Sequence, residues 1–379
     1  MSGEAPRVLF AGGGTGGHLY PALALGEAFR RLDPRAEVRY VGARRGVEAR
    51  VLPERGVEHL LLPLEPLRRA RPWENWRLIP SMARSFAGLA KLFRAFRPHL
   101  VVGTGGYASG PAVAYALLRG VPAAVQEQNS YPGFVTRRVA GRVRQLHLAF
   151  PEARRHLKPG KRTEVFEFGN PIAPPDPSIT VPEGRERFGL GGGVVCLVTG
   201  GSQGARPVNE ALLADLRGVG EGRLPPPPEG FELLWATGPA HHDGVAARLA
   251  ELGAPAWVKA LPYIRDMPHA LAAADFAVAR AGAMSLAELC AWGRPPILVP
   301  LPHAAADHQR HNAVALVEAG AALMVTEDEL SPGRLWGEVR GLAESAERRQ
   351  ALAQRARERG RPDAADRIVA ELARLVRSG

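Results

Sequence analysis

Only two cysteines, Cys196 and Cys290, occur in 379 residues. One sits in a strand-like run and the other in a helix-like run. They read as buried small hydrophobes in a reducing compartment, which excludes a disulfide scaffold and a cysteine metal site. No uninterrupted apolar stretch is long enough to span a bilayer. The first residues lack the basic-then-apolar pattern and cleavage site of an export signal. Asp-x-Asp is absent, so nothing obvious holds a divalent ion against a diphosphate. HExxH and HxH spacings are absent as well, and the polar cluster Asp307-His308-Gln309-Arg310-His311-Asn312 is not read as a metal site. Acid is scarce relative to base: Lys+Arg 49 against Asp+Glu 38 leaves a formal net charge of +11. Such a surplus favours anionic partners, among them nucleic acid, phosphorylated substrates and acidic lipid. Charge alone does not choose among them, nor exclude an arginine-rich surface with no target.

What is present is globular. Hydrophobic residues make up 46% and charged residues 23%, and the length favours two domains over one. Strand-like runs alternate with helical patterns from end to end, which predicts an α/β protein with two Rossmann-like domains, their parallel sheets facing a cleft. The early runs are Arg7–Ala11, Glu37–Val41, His99–Val102, Ala123–Gln126 and Gln145–Ala149. The proline-crowded stretch Gly169–Gly184 reads as an interdomain linker unable to hold a helix. The pattern then restarts with Val194–Thr199, Glu232–Ala236, Trp257–Ala260, Phe276–Ala279 and Ile297–Val299. The expected division is 1–168, linker 169–184, 185–360, and a closing helical segment 361–379. Within that segment Ile368, Val369, Leu372 and Leu375 fall at helical spacing. The helix either caps the second domain or crosses back onto the first.

Two glycine-rich turns leave apolar strands and open helices: Gly12-Gly13-Gly14-Thr15-Gly16-Gly17-His18 and Gly200-Gly201-Ser202-Gln203-Gly204-Ala205. Glycine lets the backbone approach a phosphate or sugar closely, and a helix N-terminus offers free N–H groups and a positive dipole end. The first turn matches GxGxxG, but a dinucleotide site also wants an acid at the end of the second strand. That strand runs Tyr40-Val41-Gly42-Ala43-Arg44-Arg45 instead. NAD is disfavoured, while Arg44 and Arg45 keep NADP open. His18 stands at the start of the helix, where the dipole disfavours a positive ring and suits a general base. A purely structural hydrogen bond is the alternative.

A third glycine turn, Gly103-Thr104-Gly105-Gly106-Tyr107, and the segment Gln126-Glu127-Gln128-Asn129-Ser130 also follow strands. Amides at a strand's carboxyl end suit sugar hydroxyls, although Asn-Ser is also ordinary turn chemistry. Three converging loops favour a site. In the second half, Arg280-Ala281-Gly282-Ala283-Met284-Ser285-Leu286-Ala287-Glu288 leaves a strand and begins a helix. There a carboxylate can accept both hydroxyls of a ribose, or merely complement the helix dipole.

These pieces together resemble the MurG family of UDP-N-acetylglucosamine transferases, which make lipid II from lipid I in peptidoglycan synthesis. The matching segments are Gly12–Leu25, Gly103–Pro111, Gln126–Gly133, Gly169–Pro171, Gly200–Ala205, Tyr263–Met267, Arg280–Glu288 and Asp307–Ala313, in the family's order. The resemblance implies a two-domain GT-B fold, with an N-terminal acceptor-binding domain and a C-terminal UDP-sugar-binding domain, the last helix returning to the first domain. It implies that Ser202 meets the diphosphate, Ile264 meets uracil through its backbone, and Glu288 holds the ribose beside Ala283 and Met284. Thr15, Gly16, Gly17, Asn129 and Gln309 would contact the donor sugar. His18 would be catalytic, with Gly14, Gly105, Gly106, Tyr107 and Glu127 on the acceptor side. No cofactor and no metal are implied. The partners would be UDP-N-acetylglucosamine, the undecaprenyl-pyrophosphoryl-N-acetylmuramyl-pentapeptide (lipid I) and an anionic membrane surface, not nucleic acid. The place would be cytoplasmic, peripheral on the inner face of the plasma membrane. Relatives usually have His where Gln126 stands and Arg where Ala173 stands, so an ionic donor contact from position 173 is not carried over.

Segment Leu67–Phe96 adds a cationic amphipathic pattern, with Arg77, Arg84 and Lys91 repeating every seven residues. Such a helix can lie in a bilayer interface or simply pack on a core. The expectation is a split: Phe86, Leu89 and Phe93 inward, and Trp73, Trp76, Leu78 and Ile79 outward, flanked by Arg68, Arg69, Arg71, Arg77 and Arg84. Three rivals stay open: a UDP-N-acetylglucosamine epimerase, an NADP-dependent reductase, and a nucleotide-binding membrane adaptor.

Overall fold

The computed structural model describes residues 4–65, 73, 76, 78–302 and 304–378, without the side chains of 305 and 378. The chain divides into two compact units, Met1–Ala173 with Pro362–Gly379, and Pro174–Arg361. Each is a parallel sheet covered by helices.

The first unit holds seven strands: β1 (Arg7–Ala11), β2 (Glu37–Ala43), β3 (His59–Leu62), β4 (Leu100–Gly103), β5 (Ala123–Glu127), β6 (Gln145–Leu148) and β7 (Glu164–Phe166). Their order is β3-β2-β1-β4-β5-β6-β7, every pair parallel. Central strands of such a sheet are covered on both faces, so they read as unbroken apolar runs. Val8, Leu9 and Phe10 are accordingly all buried. Phe10 packs with Leu19, Leu25 and Phe29 of the helix Gly16–Leu32 and with Ile368, Val369 and Leu372 of the closing helix Ala364–Ser378. Full burial of each of those three last side chains contributes roughly 1.5–3 kcal/mol to docking that helix on the first sheet. Leu9 and Val101 face the other way, toward Leu89 and Phe93 of the helix Ile79–Phe96.

The second unit holds β8 (Val195–Thr199), β9 (Glu232–Ala236), β10 (Val258–Leu261), β11 (Phe276–Ala279), β12 (Pro296–Leu298) and β13 (Leu323–Met324). Their order is β10-β9-β8-β11-β12-β13, again wholly parallel. Trp235 and Trp336 anchor its core. In both sheets the winding reverses beside the first strand, between β1 and β4 and between β8 and β11. Open α/β sheets bind ligands outside the carboxyl ends of the strands at such switch points.

Two sequence expectations are corrected. The stretch 169–184 does hold the start of a helix, Val181–Phe188. Pro182 lies in its first turn, where no N–H is needed, and Thr180 with Glu183 forms a capping box. Gly184 brings this helix against the helix Met267–Ala273; a Cβ there would stand 2.5 Å from the His269 carbonyl. Strands β3, β7 and β13 have no counterpart in the sequence reading. All three are sheet edges, short and half exposed, and lack the continuous apolar signal.

Candidate active site

β1, β4 and β5 are neighbours, so the loops leaving Ala11, Gly103 and Glu127 meet at one sheet edge. The Thr104 hydroxyl donates to the His18 carbonyl at 2.7 Å. Gly106, at φ +73°, lies so close to the first turn that a Cβ would stand 1.9 Å from the Gly13 carbonyl oxygen. Gly105, at φ +93°, makes room for the His18 ring, because a Cβ there would fall 2.7 Å from Nδ1. That Nδ1 lies 3.0 Å from Gln128 Oε1. His18 is half-buried, and Gly16 too, while Thr15 and Gly17 are exposed. Thr15 is the N-cap of its helix and makes no side-chain capping bond, which leaves its hydroxyl available. Asn129 is half-buried beside Glu127. Tyr107 packs against Gly14, and burial, then the neighbouring Glu48, push its hydroxyl above the usual tyrosine range.

Glu48 is the residue the sequence reading missed. It is wholly buried, and its carboxylate accepts from the Gly14 N–H at 2.9 and 3.0 Å and from the Ala43 N–H at 2.8 Å. A Cβ on Gly13, Gly42 or Gly46 would collide with it, so three glycines form its niche. The acid absent from the end of the second strand is thus present five residues on, bound to the turn itself. This removes one reading. The Gly14 N–H is engaged by that carboxylate, so the first turn is no phosphate cradle of the dinucleotide kind, which removes the reductase reading. Glu127 is likewise engaged within the first unit. It is 3% exposed, and its carboxylate accepts from the Thr136 hydroxyl at 2.6 Å, Gly133 N–H at 2.9 Å and Asn129 N–H at 3.2 Å. It shapes the loop 129–136.

The second unit brings together the loops after β8, β11 and β12. Arg280, also missed, ties them. Its N–H donates to the Thr199 carbonyl at 3.3 Å. Its guanidinium reaches the carbonyls of Val299 at 3.0 Å and Pro300 at 3.2 Å and pairs with Glu327. The turn 200–205 is built on backbone: Gly204, at φ +74°, backs onto the Thr237 carbonyl, and Gly201, at φ +80°, has open space on its side-chain face. Ser202 and Gln203 are exposed. Among the described residues no carboxylate is bonded to this turn, and the helix Arg206–Gly220 follows it with its positive end outward.

Ile264 follows β10 with its side chain buried in the core, whereas Tyr263 is exposed. Ala283 and Met284 begin the helix Ala283–Ala291, and Glu288 stands in its second turn, beyond the reach of a first-turn dipole partner. Its carboxyl has no hydrogen-bond or ionic partner among the described residues, and burial pushes it up to about 7. A half-buried carboxyl kept without a partner is what a ligand's hydroxyls would complete. Gln309 accepts from the Leu301 N–H at 3.0 Å, leaving its NH2 group outward.

Away from these loops, Trp73 is 70%, Trp76 65% and Ile79 67% exposed, while Leu78 is half-buried. Pro80 opens the helix Ile79–Phe96, which buries Leu89 and Phe93 and leaves Met82 and Arg84 outward. Arg68, Arg69, Arg71 and Arg77 lie outside the described residues. No described helix is long and apolar enough to cross a membrane.

Comparison with known proteins follows both units. The glycosyltransferase family 28 N-terminal domain model matches residues 8–148, and the family 28 C-terminal domain model matches residues 195–368. The UDP-N-acetylglucosamine--N-acetylmuramyl-(pentapeptide) pyrophosphoryl-undecaprenol N-acetylglucosamine transferase of Desulfitobacterium hafniense (strain DSM 10664 / DCB-2) is 39% identical over 368 residues, 96% of this chain and 97% of the relative. The protein of that name from Moorella thermoacetica is 39% identical over 381 residues, 98% of this chain and all of the relative. Among solved structures, Acinetobacter baumannii MurG superposes with a TM-score of 0.75 at 26% identity, covering 97% of this chain and 99% of that one.

Proposed function

The chain belongs to glycosyltransferase family 28, and from that premise we propose that it moves N-acetylglucosamine from UDP-N-acetylglucosamine to the N-acetylmuramyl 4-hydroxyl of lipid I, giving lipid II for peptidoglycan. One observation carries the reading: 39% identity over nearly the whole chain with transferases of that name, in a chain whose two glycine turns are furnished differently. The second unit takes the donor. The exposed turn 200–205, with Ser202 and the helix start, receives the diphosphate, Glu288 takes the ribose hydroxyls beside Ala283 and Met284, and the Ile264 peptide meets uracil. The first unit takes the acceptor near Gly105, Gly106 and Tyr107, with Thr15, Gly16, Gly17 and Asn129 toward the sugar.

The reaction inverts. The acceptor oxygen attacks the anomeric carbon as the bond to UDP breaks, His18 takes the hydroxyl proton, and UDP departs with its charge on the turn's N–H groups. An α-linked donor therefore yields a β(1→4) product. Orientation and a positioned base supply the acceleration. The test is labelled UDP-N-acetylglucosamine with a lipid I analogue. UDP release that requires the acceptor is expected; release without it, or none, would overturn the reading.

The lipid acceptor suits the exposed Trp73, Trp76 and Ile79, with Arg84 exposed further along the helix that Ile79 begins. This face rests in the acyl boundary on the inner leaflet, and each arginine near an anionic surface adds about 1 kcal/mol. Binding to acidic vesicles should weaken with salt. Trp76→Glu with Ile79→Glu should abolish it while turnover of a water-soluble acceptor stays within about twofold, since both side chains are already in water.

A further inference from the structure

We propose that Gln128 fixes the tautomer of His18, holding the proton on Nδ1 and leaving Nε2 as the atom that accepts the acceptor's proton. The proposal deepens the transferase reading and rests on it. Gln128 is 1% exposed, so water does not choose its orientation. Its Nε2 group lies 2.8 Å from the Thr104 carbonyl oxygen and 3.0 Å from the carbonyl oxygen of Gln126, two residues earlier. A main-chain carbonyl only accepts. The NH2 of Gln128 must therefore face those two oxygens, and turning the amide over would set oxygen against oxygen and leave two buried carbonyls unpaired.

The remaining face of Gln128 is then its Oε1, 3.0 Å from His18 Nδ1. An amide oxygen also only accepts, so Nδ1 must be the donor. In a neutral imidazole that assigns the lone pair to Nε2. Nε2 has no hydrogen-bond partner among the described residues, and the ring is half-buried rather than sealed. The amide is itself locked from behind. Gln126 Oε1 accepts from Gln128, Gln126 Nε2 donates to Asn170 Oδ1 at 3.1 Å, and Asn170 Nδ2 donates to the Gln128 carbonyl at 3.2 Å. Gln126, Gln128 and Asn170 are all buried. Gln128 is thus a positioning residue acting through His18.

The tautomer is read directly by nitrogen-15 NMR on histidine-labelled protein without substrates, with His18 assigned from its loss in His18→Gln. The expected spectrum at a pH where the ring is neutral shows a protonated Nδ1 and an unprotonated Nε2. A protonated Nε2 would overturn the proposal, whether or not the enzyme transfers sugar. Gln128→Met keeps the side-chain length and removes the acceptor. Its His18 should relax to a tautomer mixture, with kcat lower by on the order of 10²-fold and the donor KM unchanged. Unaltered kcat with an altered tautomer would refute the link to catalysis. Should Gln128→Met fail to fold, the wild-type spectrum alone still decides the tautomer. Absence of any acceptor-dependent UDP release from wild-type protein would instead count against the transferase reading.

Discussion

At Gly12–Gly17 the glycines are packed against side chains; at Gly200–Ala205 they are packed against backbone and open space. Under the first turn sit the buried Glu48 carboxylate, Tyr107 and the His18 ring. Around the second, Gly204 rests on the Thr237 carbonyl, and a Cβ on Gly201 would meet nothing within 4 Å. One motif therefore serves two electrostatic ends. A turn whose N–H already binds a carboxylate disfavours a further anion. In the second turn the Gly201 and Gly204 N–H groups are bonded within the turn region, and those of Ser202 and Gln203 have no partner among the described residues; such N–H groups at a helix start suit an anion. The motif by itself identifies a strand–turn–helix, and the side chains packed against it decide the chemistry.

The sharpest way to break this comparison is His18→Ala. Turnover should fall about 10²–10⁴-fold while UDP affinity by calorimetry stays put, if the base belongs to the first turn and the nucleotide to the second. A loss confined to the acceptor KM would make His18 a binding group. Glu288→Ala should do the reverse: UDP binding weaker by on the order of 10²-fold, from two hydrogen bonds to a charged group, with a smaller effect on saturated turnover.

Glu288 also predicts a pH dependence. Its carboxyl is raised to about 7, so the nucleotide-free fold binds its proton more tightly than the unfolded chain. That contribution is complete below the ordinary glutamate range and is lost as pH rises to about 7. The loss is on the order of 2–3 kcal/mol, read as a drop in urea midpoint between about pH 5 and about pH 8. Glu288→Gln should flatten it.

Stability distinguishes the turns more finely. Gly106→Ala places a Cβ 1.9 Å from the Gly13 carbonyl at φ +73° and should cost roughly 2–5 kcal/mol of strain and overpacking. Gly201→Ala, at φ +80° with open space, should cost only the backbone strain, about 1–2 kcal/mol. Equal losses in urea denaturation would dissolve the contrast. The smallest expected effect is that of chelation. If free N–H groups of the second turn take the diphosphate charge, EDTA should leave turnover unchanged. Inactivation reversed by Mg²⁺ or Mn²⁺ would contradict that role.

Local patterns carried much of this protein in plain view. Apolar runs such as Val8-Leu9-Phe10 and Val195-Cys196-Leu197-Val198 announced buried parallel strands, and the glycines after them announced turns opening helices. His18 and Glu288 were legible because each follows such a turn at a fixed offset. The edge strands β3, β7 and β13 were not, since an edge is half exposed and its sequence is not uniformly apolar. The start of the helix Val181–Phe188 was hidden by Pro182, which breaks a helix interior but suits a first turn.

What the amino-acid sequence alone determined was the alternation of elements, the two turns, and the family to which their order belongs, because each of these is written within a few neighbouring residues. What only the tertiary structure decided was the wiring of the site. Glu48 lies 34 residues from the Gly14 it binds, and Gln128 lies 110 residues from His18. Glu127 and Gln128 are adjacent in the chain, yet one carboxylate closes its own loop and the other residue's amide meets the His18 ring. Which carbonyl or ring a buried polar group meets depends on how parallel strands distant in sequence are ordered side by side, and no local spacing encodes that order.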